Sequence, residues 1–333
     1  MRIVLCYPVN QKHCDQIAAS MPGAEVVDAG QEKIAEELFS ADIYCGHAKV
    51  PVDWDGVVKQ GRLKWIQSSA AGMDHCLLPS VIESDIDVTS ASGVLADQVA
   101  EHITGMIISW HRSFPVFFRA QQKKEFIRRP TRDLHHSTVG IVGFGGVGRR
   151  LAECLSVFKT RILAVDSYPI DKPDFVESLW APNKLDDLLT QVDILVLCMP
   201  LNEMTRGMFD AGKIAKMKPN SLFVNAARGP LVIEAALASS LESGHLSGAV
   251  LDVTDPEPLS PESKLWDLDN VIITPHVAGQ SARRIDNMTN MFCENLRRRQ
   301  AGEPLINYLV DKNLGFPIRD GVAPLWVDCV DRI

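Results

Sequence analysis

Residues 137–166 read STVGIVGFGGVGRRLAECLSVFKTRILAVD, and this stretch decides the fold. A short apolar run, Val139–Val142, predicts a buried strand, and a glycine-rich turn and a helical pattern follow it. A second apolar run, Ile162–Val165, ends on Asp166. The order of strand, glycine turn, helix, strand and acid is typical of a βαβ unit that binds a dinucleotide. The turn has the spacing G-x-G-x-x-G, with its glycines at Gly143, Gly145 and Gly148.

Each part of this unit has a task in binding a dinucleotide. Gly143 permits the tight turn, Gly145 lets the backbone approach the pyrophosphate, and Gly148 lets the helix pack closely on the strand. The helix N-terminus offers N–H groups and a positive dipole end to the phosphates, and Asp166 suits the ribose hydroxyls of NAD. The glycine spacing alone is weak, since a turn of this kind can serve packing only. We predict that NAD is bound here by Gly143, Gly145, Gly146, Val147, Gly148 and Asp166.

The length and composition of the chain exclude several classes of protein. With 333 residues, of which 46% are hydrophobic, the chain can bury two cores, so two domains are expected. The net charge of −8 provides no basic footprint for nucleic acid, and no apolar run approaches the length of a membrane span. The eight cysteines lack a CxxC or zinc spacing. We predict a cytoplasmic protein with no metal, and interpret Cys6, Cys45, Cys154 and Cys198 as buried thiols.

Strands and helices alternate along most of the chain, which predicts parallel α/β sheets. Residues 1–96 form a small α/β domain without a glycine motif, and 97–300 form a doubly wound domain in which strand and helix alternate six times. The proline-rich tail, 301–333, is expected to pack back on the first domain and complete it as the substrate-binding domain. The predicted strands are Arg2–Cys6, Glu25–Val27, Asp42–Cys45, Leu63–Gln67, Asp87–Thr89, Val139–Val142, Ile162–Val165, Asp193–Cys198, Leu222–Asn225, Ala249–Asp252 and Val271–Thr274.

Two further segments carry predictions. A long aromatic-rich helical stripe extends from Val99 to Phe118, and Pro115 should kink or break it. The stripe suits an interdomain spine, a subunit interface or simple core packing. The loop SSAAGMDH, Ser68–His75, follows a predicted strand, and its small residues expose backbone N–H groups that can hold a carboxylate. An ordinary strand-to-helix turn explains that loop about as well.

The carboxyl ends of parallel strands lie on one edge of a sheet, where ligands bind. Arg228, Glu257 and His276 follow three different strands of the second domain, so they should converge at that edge beside the nicotinamide. The residues after the third to sixth strands that we predict to contact NAD are Pro200, Thr205, Ala226, Ala227, Arg228, Asp252, His276 and Ala278.

An arginine, a carboxylate and a histidine beside a nicotinamide suggest hydride transfer coupled to proton transfer on an oxygen. Histidine is the natural acid/base near neutral pH, and a paired carboxylate favours its imidazolium form and fixes its orientation. Arginine offers a planar fork to a substrate carboxylate. Taken singly, Arg228 could cap a strand, Glu257 could be a solvated turn residue and His276 a satisfied loop histidine.

The chain resembles the D-isomer-specific 2-hydroxyacid dehydrogenases over nearly its whole length. GIVGFGGVGRR resembles the cofactor loop of that family, and SSAAGMDH resembles its substrate-carboxylate loop. NAARGPLV, LDVTDPEPL and TPHVAG carry the residues that match its catalytic arginine, glutamate and histidine, which are Arg228, Glu257 and His276.

The resemblance implies a flavodoxin-like domain with an inserted Rossmann-like domain, an interdomain active site and a homodimer formed through the cofactor domain. It also implies that His276 is the acid/base, Glu257 its partner and Arg228 the substrate anchor. Backbone contacts to the substrate are implied at Ala71 and Gly72. The glutamate at 257 and the alanine at 71 argue against formate and phosphite dehydrogenase activities, which use glutamine and lysine there.

We therefore predict an NADH-dependent enzyme that interconverts a small 2-oxo acid and its D-2-hydroxy acid. Hydroxypyruvate and glyoxylate are the best candidates, because Cys45 replaces an arginine that is common in phosphoglycerate-type relatives. Lys49 is a possible substitute for that arginine, which keeps a phosphoglycerate dehydrogenase-like enzyme as one alternative. An NAD-sensing binding protein, like the corepressors built on this scaffold, is another.

Overall fold

The computed structural model describes residues 1–318 and Leu325–Trp326; residues 319–324 and 327–333 of the predicted tail lie outside the described part. Its strands are β1 Arg2–Cys6, β2 Glu25–Asp28, β3 Ile43–Gly46, β4 Trp65–Ser68, β5 Asp87–Thr89, β6 Thr138–Val142, β7 Arg161–Val165, β8 Ser178–Trp180, β9 Ile194–Leu197, β10 Leu222–Asn225, β11 Gly248–Leu251 and β12 Val271–Ile273. Its helices are α1 Gln11–Ser20, α2 Gly30–Glu37, α3 Trp54–Gln60, α4 Pro79–Glu83, α5 Ala96–His111, α6 Phe114–Gln122, α7 Gly146–Ser156, α8 Leu185–Leu189, α9 Ala211–Ala215, α10 Glu234–Glu242 and α11 Arg284–Ala301.

The described part divides into two compact units: the first contains Met1–Leu95 and the described residues from Ser281 onward, and the second contains Ala96–Gln280. In the first unit, five parallel strands lie in the order β2-β1-β3-β4-β5. This is the flavodoxin-like strand order, as predicted.

Helix α11 belongs to the first unit, whereas the predicted boundary at residue 300 placed it in the second. Its apolar face, which includes Met291, Phe292 and Leu296, is buried in the same core as Ile3 and Trp65. The side chain of Asn295, on the same helix, is fully buried; it donates to Gln67 Oε1 at 3.0 Å and accepts from the N–H of Ile306 at 2.7 Å. The amphipathic pattern of this helix showed that one face is buried, but it did not show which sheet covers that face.

In the second unit, seven parallel strands lie in the order β12-β11-β10-β9-β6-β7-β8. From β6 the sheet extends in both directions, so the point where the strand order reverses lies beside the glycine turn. This is the Rossmann arrangement. Six strands were predicted, and the seventh, β8, was missed because it has three residues, all half-buried.

The predicted long helix is two helices, α5 and α6, broken at Ser113, which has a left-handed φ of 58°. Pro115 lies in the first turn of α6 and has no N–H to donate to the carbonyl of His111. That carbonyl accepts instead from the N–H of Arg132 at 2.9 Å. The predicted effect of Pro115 is therefore confirmed, with the break two residues before the ring.

The cysteines of the described part are all free thiols. Cys6 and Cys45 are buried as predicted, but Cys154 and Cys198 are half-buried, since they lie on a helix surface and at a strand end. Burial raises the pKa of Cys6 to about 11 and that of Cys198 to about 12, so neither forms a reactive thiolate near neutral pH. Among the described residues no helix has the length and apolarity to cross a membrane.

Candidate active site

The glycine turn joins β6 to α7, and its glycines are needed for different reasons. Gly143 has a φ of +93°, and a Cβ there would lie 2.6 Å from the backbone of Met199. A Cβ on Gly148 would lie 2.2 Å from the carbonyl oxygen of Gly143. Gly145, by contrast, is exposed, and nothing lies within 4 Å of the position of its Cβ. Packing within the turn thus requires glycine at positions 143 and 148, whereas Gly145 leaves the outer side of the turn open.

This turn fits the pyrophosphate of a dinucleotide. Gly146 and Val147 are the first two residues of α7, and no side chain caps that helix. The N–H groups of its first turn and the positive end of its dipole therefore lie beside the open side at Gly145. A bound phosphate would complete this helix end.

Asp166 directly follows β7, and its carboxylate connects the turn with the loop after that strand. One oxygen accepts from the N–H of Phe144 at 2.6 Å, and the other accepts from the N–H of Tyr168 at 2.8 Å. Two further contacts close the same region. The guanidinium of Arg149 lies 4.9 Å from the centre of the Phe144 ring and donates to the carbonyl of Ile170 at 2.7 Å. The carboxylate is thus held in place at the end of β7.

The loops after β9 and β10 contribute the next predicted residues. The hydroxyl of Thr205 donates to the carbonyl of Pro200 at 2.8 Å, so these two residues are in direct contact. After β10, the buried side chain of Asn225 donates to the carbonyl of Arg228 at 2.9 Å. It also accepts from the N–H of Ala227 at 3.1 Å, which fixes the chain from Ala226 to Arg228. Asn225 was not among the predicted site residues, although it stands in the NAARGPLV motif.

The loops after β10 and β11 pack closely together. A Cβ on Gly229 would lie 1.8 Å from the carbonyl oxygen of Thr254, so only glycine fits next to Arg228. The loop after β11 has cis peptide bonds before Pro256 and Pro258. Glu257, between these prolines, accepts from the N–H of Thr254 at 3.2 Å.

His276 and Glu257 form an ion pair at this edge of the sheet. His276 Nδ1 lies 2.9 Å from Glu257 Oε2, and the two side chains are 48% and 40% exposed. An ion pair with this exposure contributes about 0–1 kcal/mol to stability, so its value lies in orienting the ring. The structure therefore brings together two of the three predicted catalytic residues. Arg228 lies on the loop after β10, next to the loop after β11 that carries Glu257.

Asp252 fixes the loop that carries His276. Its side chain is 2% exposed, and its carbonyl accepts from the N–H of His276 at 2.8 Å. Its carboxylate accepts from the N–H groups of Val277 and Ala278, each at 2.9 Å, and from the hydroxyl of Thr274 at 2.6 Å. These bonds hold His276 at a φ of 53°, a left-handed conformation that is uncommon outside glycine and asparagine.

Besides Asn225, sequence reasoning missed three polar side chains that support these residues: His102, Thr274 and Arg149. His102, on α5, lies 3.1 Å from the hydroxyl of Thr274 and 3.6 Å from the carboxylate of Asp252. Arg149 stabilises the loop after Asp166 by donating to the carbonyl of Ile170. For His102 and Arg149 the only sequence signal is a polar residue on a helix next to a motif, whereas Thr274 stands inside TPHVAG.

The predicted substrate loop lies in the first unit, directly after β4. The hydroxyl of Ser68 accepts from the N–H of Ala70 at 3.0 Å, and the carbonyl of Ala70 accepts from the N–H of Ala91 at 3.0 Å. The loop is therefore anchored just before Ala71, which is exposed, and Gly72, which is half-buried. Among the described residues no cluster of three histidine, cysteine or acidic side chains suited to a metal ion occurs.

Comparison with known proteins agrees with this geometry. Residues 104–278 match the model of the D-isomer specific 2-hydroxyacid dehydrogenase, NAD binding domain. A glyoxylate reductase of Thermofilum pendens is 34% identical over 71% of either chain, and a glycerate dehydrogenase of Methylorubrum extorquens is 30% identical over 82% of this chain and 87% of the relative.

A crystal structure of an NADPH-dependent glyoxylate/hydroxypyruvate reductase from Sinorhizobium meliloti, in complex with NADP and sulfate, superposes with a TM-score of 0.80. It is 28% identical, and the match covers 95% of this chain and 99% of that one. The protein therefore belongs to the D-isomer specific 2-hydroxyacid dehydrogenases and is an oxidoreductase with an NAD-binding domain.

Proposed function

We propose that this enzyme reduces a small 2-oxo acid to its D-2-hydroxy acid with NADH, and that hydroxypyruvate and glyoxylate are the best candidate substrates. The ion pair of His276 and Glu257, on the sheet edge that carries the glycine turn, is the observation that supports this most directly. Reduction of a carbonyl needs one hydride and one proton, and an imidazolium held by a carboxylate is a suitable proton donor.

NADH, when bound at the glycine turn, would supply the hydride that the carbonyl carbon needs. His276 donates a proton to the carbonyl oxygen as negative charge develops there, so that the carbonyl becomes an alcohol. Glu257 keeps the ring oriented through Nδ1, which leaves Nε2 to donate the proton. In the reverse reaction the neutral ring accepts that proton from the hydroxyl.

We infer that Arg228 and the backbone of Ala71 and Gly72 bind the carboxylate of the substrate. A guanidinium matches a carboxylate with two parallel hydrogen bonds and polarises the adjacent carbonyl. The cofactor contacts that we propose remain those of the glycine turn and Asp166, with Pro200, Thr205, Ala226, Ala227, Asp252 and Ala278.

A small substrate without a phosphate is favoured by the residues around β3. Cys45, at the position of the arginine of phosphoglycerate-type relatives, is fully buried and carries no positive charge. Lys49 is exposed and follows β3 by three residues. A phosphate needs several cations or N–H donors, and Cys45 provides neither.

Steady-state kinetics with NADH on glyoxylate, hydroxypyruvate, pyruvate, a branched 2-oxo acid and 3-phosphohydroxypyruvate test this proposal. We expect the highest kcat/KM with hydroxypyruvate or glyoxylate. If the phosphorylated compound gave the highest value, the phosphoglycerate-type alternative would be right. NADH binding without turnover of any of the five compounds would support the NAD-sensing alternative.

Replacement of His276 by Ala should lower kcat about 10²–10⁴-fold, because general acid catalysis is lost. The affinity for NADH, measured by fluorescence titration, should change little. In Glu257→Gln the ring loses the carboxylate that orients it through Nδ1, so we expect kcat to fall while the affinity for NADH stays close to that of the parent. His136→Ala, at an exposed histidine, is the control; a kcat of Glu257→Gln equal to that of the parent would contradict the pairing.

The position of Asp166 predicts a preference for NADH over NADPH, although the Sinorhizobium meliloti relative is NADPH-dependent. A carboxylate at this point accepts from the ribose hydroxyls and repels a 2′-phosphate, which should favour NADH about tenfold or more in kcat/KM. Asp166→Ala should reduce that ratio. Asp174→Ala, at an exposed acid of the same segment, should leave it unchanged. Equal efficiency of the parent with the two cofactors would overturn this assignment.

We also propose a cytoplasmic homodimer formed through the second unit. Phe118 and Phe126 are 59% and 91% exposed, and they lie close in sequence to a cavity of about 760 Å³ lined by Trp110, Val116 and Ile127. Exposed aromatic side chains of this kind often mark an interaction surface. Light scattering at micromolar concentration should give twice the mass of the chain. A monomer mass for the parent would refute the dimer.

A further inference from the structure

Gln98, in the first turn of α5, has a buried side-chain oxygen without a hydrogen-bond partner. The residue as a whole is half-buried, but its Oε1 is buried and no described residue donates to it. A buried acceptor without a donor destabilises the folded state, so a bound molecule that donates to this oxygen would be stabilising.

The contacts of α5 place Gln98 between two parts of the candidate active site. His102 lies one turn further along the same face of the helix, and its Nε2 is 3.1 Å from the hydroxyl of Thr274, in the loop after β12. Asp97, the neighbour of Gln98, has its carboxylate 2.6 Å from Nε of Arg150, one turn into α7. The first turn of α5 therefore lies between the helix that begins at the glycine turn and the loop after β12.

A dinucleotide on a Rossmann sheet extends from the glycine turn to the neighbouring strand ends, where in the proposed function the nicotinamide lies beside His276. The carboxamide of the nicotinamide has two N–H donors and one acceptor oxygen. The carboxylate of Asp252, at these strand ends, has about four acceptor sites. Three of them already accept from Thr274, Val277 and Ala278. The carboxamide therefore needs a second acceptor and a donor from elsewhere.

We propose that the side-chain amide of Gln98 binds the carboxamide of the nicotinamide. Oε1 accepts one carboxamide N–H, which gives the buried oxygen the donor that it lacks, and Nε2 donates to the carboxamide oxygen. Two amides are complementary because each has a donor and an acceptor side by side.

The pairing makes Gln98 a positioning residue for hydride transfer. It fixes the rotation of the ring about its bond to the ribose, and with it the face of the ring that is turned towards the substrate. The inference rests on the placement of the cofactor in the proposed function, but not on the identity of the 2-oxo acid.

The test measures binding to the full chain without substrate, in the parent and in Gln98→Met. Methionine keeps the length and the helix preference of glutamine and removes both hydrogen-bonding groups. The probes are NADH, its 3-acetylpyridine analogue, in which a methyl ketone replaces the carboxamide, and ADP-ribose, which has no nicotinamide. Fluorescence titration gives Kd for the first two, and displacement of NADH gives Kd for the third.

In Gln98→Met we expect the Kd of NADH to rise about tenfold, the effect of a lost hydrogen bond at the upper end of the usual range. The Kd of the acetylpyridine analogue should rise less, about threefold, because this analogue has no N–H to lose. The Kd of ADP-ribose should stay within about twofold of the parent value.

Thermal unfolding without cofactor gives a readout that a merely structural role would move in the opposite direction. Gln98→Met should have a Tm no lower than that of the parent, because an apolar group replaces an unsatisfied one. The increase in Tm on addition of NADH should be smaller in the variant than in the parent.

The matched control is Thr104→Val, on the same helix. Thr104 Oγ1 is also buried without a hydrogen-bond partner in the described part of the chain, but it lies six positions along α5, about 240° around the helix from Gln98. The three Kd values of this variant should match those of the parent.

Two results would overturn the inference. The first is an unchanged Kd of NADH in Gln98→Met, and the second is an equal loss of affinity for all three probes together with a lower Tm, which would show that Gln98 only supports the helix. Absence of turnover with every 2-oxo acid would instead overturn the proposed function, because none of these binding measurements needs a substrate.

Discussion

The hydrogen bonds to the buried carboxylate of Asp252 are the interactions on which the geometry around His276 depends. Desolvation of a carboxylate costs several kcal/mol unless its charge is satisfied. Here two backbone N–H groups and one hydroxyl donate to it, and hydrogen bonds to a charged group contribute about 1.5–3 kcal/mol each. The loop after β12 must wrap around this carboxylate, and this wrapping gives His276 its left-handed backbone. The position of His276, the proposed proton donor, therefore follows from the hydrogen bonds of a buried carboxylate.

The sequence predicted most of this edge because its features are local. The glycine turn, the acid after β7 and the motifs around Arg228, Glu257 and His276 each follow a short apolar strand, and parallel topology places strand ends together. The pairing of Glu257 with His276 was predicted from their chemistry, and the structure has the two at hydrogen-bond distance.

What the sequence could not predict depends on contacts between distant segments. β8 is too short to have a pattern of its own, although its Trp180 carbonyl accepts from the N–H of Asp166. Helix α11 has an amphipathic pattern that fits either sheet. The supporting roles of His102 and Arg149 exist only once helices α5 and α7 lie on the sheet. The helix break near Pro115 could be predicted, because the missing N–H of proline is a covalent property that acts locally.

The cavity of about 760 Å³ shows that the size of a cavity does not indicate where the candidate active site lies. Ser247 and Asn270, which contribute to its lining, directly precede β11 and β12, so it lies at the amino ends of these strands. The glycine turn and His276 lie at the opposite, carboxyl ends. Backbone N–H groups at the helix N-terminus and side chains from several loops converge only there.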